Sequence, residues 1–561
     1  MNRKNLTAAV LAGLAGAAGI AGTAQAINLN PDGLGQVLIY PYYTTNDGNS
    51  TLLSVVNTTE SGKAVKVRFK EGFNSREVLD FNLYLSAFDV WVAAIEDKAG
   101  TPTLFIPDAS CTVPYLFADG GEQAFLPFDY TGEKADGGPT GISRAAEGYF
   151  EIIEMGTLNN DSETAKRLGT EDAVTHLIDD DGVQAPADCE QLVDNWTANP
   201  DGMWILDQDQ DIDRNSGGLF GGAAIINVAR GTMYSYGARA IQGYDRRPEG
   251  HHRRPGGLIP NLNDGSEKDA TMFFGVPQDK AVTMFYARGV DAISATFMHE
   301  TTMNEYNIEA GLNAASEWII TFPTKSFYTD AALISEVIED VWVPNQNDPD
   351  CDFWSPGEPF PFRDGPDPEA DDGFSGSFDL CSYVEVTVDN TAALPPFTSL
   401  FDGEACETFG IEIWDREENS FESSNNKIPP IVSPPPPGGS TEEVPNEICY
   451  EVNVLRFGND GVFNSVFGTT SDLLKTVDTG SVVFDNGTQS KPRVAGWAKI
   501  DWSIDPDHVD SLGVIGLPVT GFWAEQFENG FLGTPAASVL ANYGGLFDHK
   551  GSVRRGVPRS D

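Results

Sequence analysis

GQVLIYPYYTTNDGNSTLLSVVNTT (residues 35–59) is the stretch that decides the fold class. Two runs rich in apolar and aromatic residues flank the turn sequence NDGN, a pattern typical of two β-strands around a turn. In the segment that follows, apolar and basic residues alternate: Val65, Val67 and Phe69 with Lys66, Arg68 and Lys70. This period of two predicts one buried and one solvent-exposed face. Strands joined by NDGN, TTESGK and EGFNSR predict an antiparallel sandwich built from hairpins.

Similar patterns recur along the chain and predict a mainly β protein. An N-terminal immunoglobulin-like antiparallel sandwich is followed by a larger β-rich region with short helical insertions. The predicted divisions are a signal peptide at 1–26, the sandwich at 27–158, a helical and acidic insertion at 159–217, and the β-rich region at 218–561. Two long loops within the last region, at 345–381 and 419–448, are rich in Pro and Gly.

The first 26 residues predict export. Arg3 and Lys4 form a basic start, a small apolar run follows, and Ala24-Gln25-Ala26 supplies the small residues of a cleavage site. The apolar run is too short and too rich in Gly and Ala for a bilayer span of about 20 residues. No later stretch is long and apolar enough to span a membrane either. The predicted location is therefore the cell surface or the extracellular medium, with the periplasm as an alternative.

The net charge is −49, from 84 acidic and 35 basic residues. A surface of this sign repels phosphate backbones, which excludes nucleic acid as a partner. Two interpretations remain open. The acidity either keeps the surface solvated, or it binds divalent cations that hold molecules together.

Six cysteines in an exported chain predict three disulfides. No two of them form a C-x-x-C motif, so neither a zinc site nor a redox pair is expected. Proximity along the chain favours the pairs Cys111–Cys189, Cys351–Cys381 and Cys406–Cys449.

DQDQDID (207–213) is the candidate metal site. It carries acids at every second position: Asp207, Asp209, Asp211 and Asp213. Ca²⁺ takes several oxygen ligands, which a loop of alternating acids can supply. A regular EF-hand loop is excluded, because Ile212 and Gly218 stand where that loop has Gly and Glu. An irregular calcium site and a solvated acidic turn are the two remaining interpretations.

DRRPEGHHRRPGG (245–257) is a basic island in an acidic chain. Its candidate anion-binding or partner-binding residues are Arg246, Arg247, His251, His252, Arg253 and Arg254. Such a set can bind a phosphate, an acidic polysaccharide or an acidic patch on a second copy of the chain. The alternative is a surface loop that balances nearby acids.

No catalytic motif is recognisable. MHETTMNEY (298–306) fails as a zinc-protease helix, because Met303 stands where the second histidine is needed. With 84 acids, a pair of carboxylates for glycoside hydrolysis remains possible but cannot be singled out. Trp91, Trp318 and Trp497 lie in apolar strand-like segments and are predicted to be core residues rather than sugar-stacking platforms.

Several segments resemble a family of exported, surface-associated proteins of Gram-negative bacteria. They include the stretch from GQVLIYPYYTT to LDFNLYLSAFDVWVA, and GGLFGGAAIINVARGT, SEWIITFPTK, WDREE, SPPPP, CYEVNVL and LANYGGLF. The likeness runs along most of the chain. The family has no assigned activity, so the resemblance implies export and a shared fold and assigns no residue a role.

The expected function is a non-enzymatic cell-surface or extracellular structural protein, of the S-layer, matrix or adhesive kind, with Ca²⁺ as a candidate cofactor in its assembly. The alternatives are a secreted hydrolase acting on polysaccharide, or a module that binds glycan or metal. The expected partners are further copies of the chain or a cell-surface polysaccharide.

Overall fold

The structure is a computed structural model. It describes residues 26–116, 120–160, 169–178, 182, 184–197, 202–274, 280–335, 392–418, 420–422, 446–458, 465–466, 481–485, 495–534 and 537–556. Cys351, Cys381, residues 1–25 of the predicted signal peptide, the 345–381 loop and most of the 419–448 loop lie outside these ranges.

The strands up to residue 242 are β1 Asn28–Leu29, β2 Val37–Thr44, β3 Asn49–Asn57, β4 Lys63–Glu71, β5 Glu77–Leu85, β6 Val90–Lys98, β7 Thr101–Phe105, β8 Cys111–Val113, β9 Glu122–Ala124, β10 Glu147–Leu158, β11 His176–Ile178, β12 Gln184–Pro186, β13 Ile212–Asp213, β14 Leu219–Asn227, β15 Thr232–Gly237 and β16 Arg239–Gln242.

The strands after residue 242 are β17 Asp269–Phe274, β18 Lys280–Phe285, β19 Met298–His299, β20 Thr301–Asn307, β21 Ala314–Thr321, β22 Glu407–Asp415, β23 Ser420–Glu422, β24 Asn446–Ile448, β25 Val452–Gly458, β26 Ser465–Val466, β27 Ser481–Asp485, β28 Ala495–Asp501, β29 Val514–Ile515, β30 Leu517–Pro518, β31 Thr520–Thr534, β32 Ala537–Asp548, β33 Lys550–Ser552 and β34 Arg554–Arg555. The α-helices of the described ranges are α1 Thr170–Val174, α2 Cys189–Thr197, α3 Met203–Leu206, α4 Gly289–Phe297, α5 Ser326–Thr329 and α6 Ala331–Ser335.

Two antiparallel sheets form a sandwich in the N-terminal half. The first sheet has the order β1-β16-β2-β10-β4-β5-β8, with β13 also paired to β10, and the second has the order β15-β14-β3-β6-β7-β9. Side chains from both sheets fill the space between them, among them Tyr40, Phe69 and Phe150 of the first and Trp91 and Ile225 of the second. The predicted mainly β fold is confirmed, whereas the immunoglobulin-like assignment of the sandwich stays a prediction.

Two of the three predicted hairpins are wrong. NDGN joins β2 of the first sheet to β3 of the second, and TTESGK returns the chain from β3 to β4 of the first; EGFNSR alone closes a hairpin, between β4 and β5. The reason is that β2 already has a neighbour on each side, β10 and β16, so β3 cannot pair with it. All eight residues of β2 are buried, as its continuous apolar run requires of a strand covered on both faces.

Strands from either side of the predicted 159–217 insertion share these sheets. β14, β15 and β16 lie at residues 219–242, yet they pair with β3, with β14 and with β2. The sandwich is therefore built from chain segments before and after the insertion, and the described part of the insertion carries three short helices. The domain boundaries stay a prediction.

Two further sheets contain most of the remaining strands. The third sheet has the order β23-β22-β28-β20-β33, with β24 paired to β22, and the fourth has the order β26-β27-β25-β21-β31-β32. Alternate residues of β21 enter different cores: Ile319 packs into the sandwich core, while Trp318 and Ile320 pack with Ile500 of the third sheet. The fourth sheet therefore lies between the sandwich and the third sheet.

The predicted solvent face of β4 is wrong. The side chains of Lys66, Arg68 and Lys70 are buried, because residues 245–262 cover this face of the first sheet. Lys66 pairs with Asp80 at 2.6 Å and Arg68 with Glu77 at 2.7 Å. Main-chain carbonyls of the covering segment accept further hydrogen bonds from the same two side chains. The alternation of β4 therefore separates an apolar core from a buried ionic layer, not from water.

Two of the predicted disulfides are confirmed. Cys111 is bonded to Cys189, and Cys406 to Cys449. Disulfides of this kind are typical of oxidising, exported compartments. Among the described residues, none of the helices combines the length and the apolar character needed to cross a bilayer.

Candidate functional site

The predicted acidic cluster and the predicted basic island contact each other. Arg253 pairs with the Asp209 carboxylate at 3.0 Å, and the His252 main-chain N–H donates to the same carboxylate at 2.9 Å. Asp207 accepts a hydrogen bond from the main-chain N–H of Asp209, and Asp213 lies in β13 beside β10. The acidic cluster and the basic island were predicted as separate sites, but they partly neutralise each other's charge.

The other members of the basic island are also engaged locally. Arg246 pairs with Glu267 at 3.3 Å, and Arg247 with its near neighbour Asp245. His251 is buried with Nδ1 3.9 Å from the Asp245 carboxylate, and the Arg254 carbonyl accepts a hydrogen bond from Lys66. These contacts stabilise the segment of residues 245–262 that covers the first sheet. The anion-binding role of the island stays a prediction.

Within the described ranges, one group of His, Cys, Asp or Glu residues brings three possible metal-ligand atoms within 4.8 Å of one another: Glu404, Cys406 and Cys449. The two sulfur atoms of this group are bonded to each other and offer no thiolate to a metal. Asp207, Asp209, Asp211 and Asp213 form no such group, so the calcium site stays a prediction that the geometry does not support.

His252 connects this region to an aromatic cluster under the insertion. Its Nε2 accepts a hydrogen bond from the Tyr84 hydroxyl at 2.9 Å, because its Nδ1–H donates to the Gln208 carbonyl at 2.6 Å. Trp196 and Trp204 pack around the imidazole, with ring centroids 5.0 and 4.5 Å away. Burial, reinforced by the charges of Arg253 and Lys66, lowers the pKa of His252 to about 3.

This burial predicts acid sensitivity. The folded state keeps His252 neutral, while the unfolded chain binds a proton below pH 6.5, so stability is lost as the pH falls from about 6.5 toward 3. We expect the His252 imidazole to lower the free energy of unfolding by about 1.4 kcal/mol for each pH unit in this window. The measurement is the free energy of unfolding by urea at a series of pH values, for the wild type and for His252→Gln. Between pH 7 and pH 5 this free energy should fall less steeply with pH in the variant, by this amount. Above pH 7 its dependence on pH should be equal in the two proteins. Equal slopes below pH 6.5 would contradict the assignment.

A groove of about 700 Å³ opens where the sandwich meets the third and fourth sheets. Its lining comes from four distant parts of the chain: residues 235–237 of β15, 303–305 of β20, Trp497 of β28, and 546–550 around the end of β32, except His549. A concave site that combines apolar walls with a few polar groups is the usual form of a ligand-binding site.

Trp497 forms one wall of the groove. Its cross-strand neighbours are Trp414 on one side and Glu305 on the other. Trp414 stacks on it with a centroid distance of 4.0 Å and an interplanar angle of 8°, and Lys499 lies over the Trp414 ring at 5.6 Å. The groove is lined by Trp497 and Glu305 but not by Trp414. One face of the Trp497 indole is thus held by Trp414, and the other is offered to the groove.

Phe547 forms a second aromatic surface. Its ring is 49% exposed and stacks on the buried Trp523 at 4.9 Å. The Trp523 indole N–H donates to Ser316 at 3.1 Å, which fixes the supporting ring. The Asn304 amide donates to the carbonyls of Phe547 and Asp548 and so ties β20 to the end of β32. Both exposed rings are therefore supported by buried or stacked partners.

The charged side chains that line the groove are Glu305, Asp548 and Lys550. Asp548 is 3.0 Å from the Arg239 guanidinium, whereas Glu305 is solvent-exposed. Opposite charges thus balance around the groove, although the chain as a whole is strongly acidic.

A smaller cavity of about 140 Å³ adjoins the groove at Lys550 and contains His299 and His549. The His549 Nε2–H donates to the Ile319 carbonyl at 2.9 Å, and its Nδ1 accepts from Asn304 at 3.1 Å. Burial lowers the pKa of His549 to about 3 and also lowers that of His299. Both imidazoles are neutral at pH 7 and support the walls of the groove.

Comparison with known proteins gives no match. Neither a protein-family model, nor a curated protein, nor a solved structure is similar to this chain. The chemistry of the groove is therefore what a functional proposal can rest on.

This groove was not predicted from the sequence, and the prediction that Trp497 is a core residue is wrong. Trp91 and Trp318 are core residues as predicted, but Trp497 is 39% exposed. The alternation within β28 indicates that Trp497 is exposed. Ala498 and Ile500 are buried, and Trp497 lies on the opposite face of the strand with Lys499 and Asp501.

Proposed function

We propose that the protein is a non-enzymatic extracellular glycan-binding protein that holds a polysaccharide strand in this groove. The observation that carries the proposal is the supported, outward-facing ring of Trp497 together with that of Phe547. Sugar rings present apolar C–H faces that pack on aromatic rings, and hydroxyls that bond to carboxylate, amide and ammonium groups. Glu305 and Asp548 supply carboxylates, Asn304 an amide and Lys550 an ammonium group along the same groove.

Rigidity also supports binding. Ordering of mobile side chains subtracts from affinity, and a ring already stacked on its neighbour has little freedom left to lose. Trp414 holds Trp497, and Trp523 holds Phe547, before any ligand arrives. We propose that the protein is exported, lies at the cell surface and attaches there by binding polysaccharide. This is the surface or adhesive role expected from the sequence.

A polysaccharide hydrolase is the second candidate, because two carboxylates line the groove. Hydrolysis needs one carboxyl group to donate a proton to the leaving oxygen. Asp548 accepts hydrogen bonds from the Arg239 guanidinium, which favours the role of an acceptor. The other carboxylate, Glu305, is solvent-exposed and lacks the apolar surroundings in which a general acid is usually found. The pair therefore suits binding better than acid catalysis.

Trp497→Ala should weaken binding of a polysaccharide at least tenfold. Truncation of an aromatic anchor at the centre of a binding site typically costs about 2 kcal/mol or more, and tenfold corresponds to about 1.4 kcal/mol. Affinity is measured by calorimetry or affinity electrophoresis against a panel of neutral and acidic polysaccharides. Phe531→Ala is the matched control, because this ring is 73% exposed on β31 and outside the groove. Wild-type affinity in Trp497→Ala would contradict the proposal, and release of shortened sugars by the wild type would favour the hydrolase.

A further inference from the structure

The cavity of about 140 Å³ beside the groove is lined by cations and hydroxyl groups. Arg239 and Lys550 are its cationic residues, Thr302 and Thr520 carry the hydroxyls, and none of the described residues that line it is an acid. Such a lining is unusual in a chain of net charge −49, in which carboxylates far outnumber cations. We call this space the cation-lined cavity.

Both threonine hydroxyls retain a hydrogen that can be donated. Thr302 and Thr520 are 2% and 6% exposed. The Thr302 Oγ1 accepts a hydrogen bond from the Trp502 indole N–H at 2.8 Å, and the Thr520 Oγ1 accepts one from the Arg239 Nε–H at 3.4 Å. A hydroxyl donates one hydrogen as well as accepting, and within the described part of the chain neither hydroxyl hydrogen has an acceptor. Because a buried donor without a partner costs free energy, a ligand with acceptor oxygens is favoured here.

The two cations also have donors to spare. Arg239 donates to the Asp548 carboxylate from Nη1 at 3.1 Å and from Nη2 at 3.0 Å, and to Thr520 from Nε. A guanidinium has five N–H groups, so two of them remain. Asp548 lines the groove and not the cavity. Lys550 lines both spaces, and no carboxylate of the described residues forms an ion pair with its ammonium group.

The cation-lined cavity and the groove share a wall. Lys550 belongs to the lining of both. Across this wall, the groove residue Asn304 is hydrogen-bonded to the cavity residue His549, and the groove residue Asp548 to the cavity residue Arg239. A substituent on a sugar unit held at this end of the groove is therefore within reach of the cavity.

We propose that the groove binds an acidic polysaccharide and that the cation-lined cavity holds one of its carboxylate groups. This inference rests on the glycan-binding function proposed above and adds the charge of the ligand to it. A carboxylate offers two acceptor oxygens and no hydrogen, which complements hydroxyl, guanidinium and ammonium donors. The cavity volume is several times the roughly 30 Å³ that one water occupies in the liquid, so a carboxylate group fits.

The net charge of the chain does not oppose this ligand. Exposed charges more than about 8 Å apart are largely screened at physiological ionic strength. Inside the cavity, the carboxylate of the ligand meets Arg239 and Lys550 at contact distance, where screening is weak. Glu305 lines the groove but not the cavity. It therefore stays available to accept hydrogen bonds from the hydroxyls of uncharged parts of the sugar.

Calorimetry with matched pairs of polysaccharides tests the proposal. Hyaluronate, alginate and polygalacturonate are each compared with their carboxyl-reduced forms, which keep the rings and linkages but lose the charge. The full mature chain is used at about 0.15 M NaCl. We expect at least one acidic polysaccharide to bind about tenfold more tightly than its reduced form, the effect of one hydrogen bond to a charged group.

Two variants assign this preference to the cavity. Lys550→Met should lower the ratio of the two affinities about tenfold, and Thr520→Val should lower it as well, because each removes a donor to the bound carboxylate. Thr520→Val keeps every charge, so a mere change of the overall field would not account for its effect. Lys268→Met is the matched control, since it removes the same charge from an exposed lysine that lines neither space. Its ratio should equal that of the wild type.

The outcomes separate the two proposals. Equal affinities for every acidic polysaccharide and its reduced form, or binding of the reduced forms alone, would overturn the acidic ligand and leave glycan binding in place. A ratio that neither Lys550→Met nor Thr520→Val changes would overturn the role of the cavity. A wild type that binds none of these polymers, charged or reduced, would overturn both proposals.

Discussion

Arg144→Met should lower the free energy of unfolding by about 3–5 kcal/mol, the usual cost of leaving a buried carboxylate without its partner. Arg144 is fully buried and makes bidentate contacts with two acids. Its Nε and Nη2 atoms donate to Glu71 at 2.8 and 3.0 Å, and its Nη1 and Nη2 atoms donate to Asp136 at 2.8 and 2.7 Å. Its guanidinium also lies over the Tyr130 ring at 4.5 Å. Methionine has similar length but satisfies neither carboxylate.

The effect reaches beyond the sandwich. Asp136 is also close to Arg76, which pairs with Asp330 at 2.5 Å just before α6. Loss of Arg144 therefore weakens a network that links the hairpin of β4 and β5 to the segment after the fourth-sheet strand β21. Denaturant unfolding at pH 7 gives the measurement.

Two variants control for charge. Arg144→Lys keeps the charge and loses the bidentate geometry, so an intermediate loss is expected. Lys134→Met breaks an exposed pair, Lys134–Asp129 at 2.8 Å with the lysine 52% exposed, and should cost less than 1 kcal/mol. A loss below 1 kcal/mol in Arg144→Met would show that the network is not a major source of stability.

Replacing both Cys111 and Cys189 by Ser should cost about 4 kcal/mol. The two residues are 78 positions apart, and a loop of this size restricts the unfolded chain by roughly that amount in the chain-entropy account of disulfides. The bridge ties α2 to β8 beside a small separate core that contains Leu192 and Trp204. Because this core is smaller than the two main ones, we expect the covalent link to supply a large part of the free energy that holds the insertion against the sheet.

Two measurements check this prediction. The urea concentration at the midpoint of unfolding should be lower for the double variant than for the wild type. Limited proteolysis should cut the variant near the insertion at protease concentrations and temperatures at which the wild type is not cut. Cys406→Ser with Cys449→Ser is the comparison, because it opens a bridge of separation 43 in another part of the fold. A double Cys111/Cys189 variant with an unchanged midpoint would contradict the expected role.

The sequence was informative where the pattern is local. Strand alternation predicted a mainly β fold, and proximity along the chain predicted the two disulfides that the described residues contain. Both depend on neighbours that are at most 78 residues apart along the chain. The failed prediction for β4 depends on distant partners. The polar side of β4 is alternating and basic as predicted, but residues 245–262 cover it, and no local pattern announces that cover.

The groove shows the same limit. Its walls come from residues 235–237, 303–305, 497 and 546–550, which share no linear motif. The exposure of Trp497 could have been predicted, because Lys499 and Asp501 stand on its face of the strand. Its partner Trp414 could not, since the register of β22 against β28 is set by the fold.

The position of β2 also constrains how the chain reaches its native state. Ile39 pairs with Glu151 on one side and with Arg239 on the other. β2 is the first long strand to be synthesised, and its two partner strands, β10 and β16, leave the ribosome much later. Pairings over such separations are slow to form and leave unpaired strand edges open to aggregation meanwhile. Completion of the first sheet is therefore a late step in folding, reached only after residue 242 has become available.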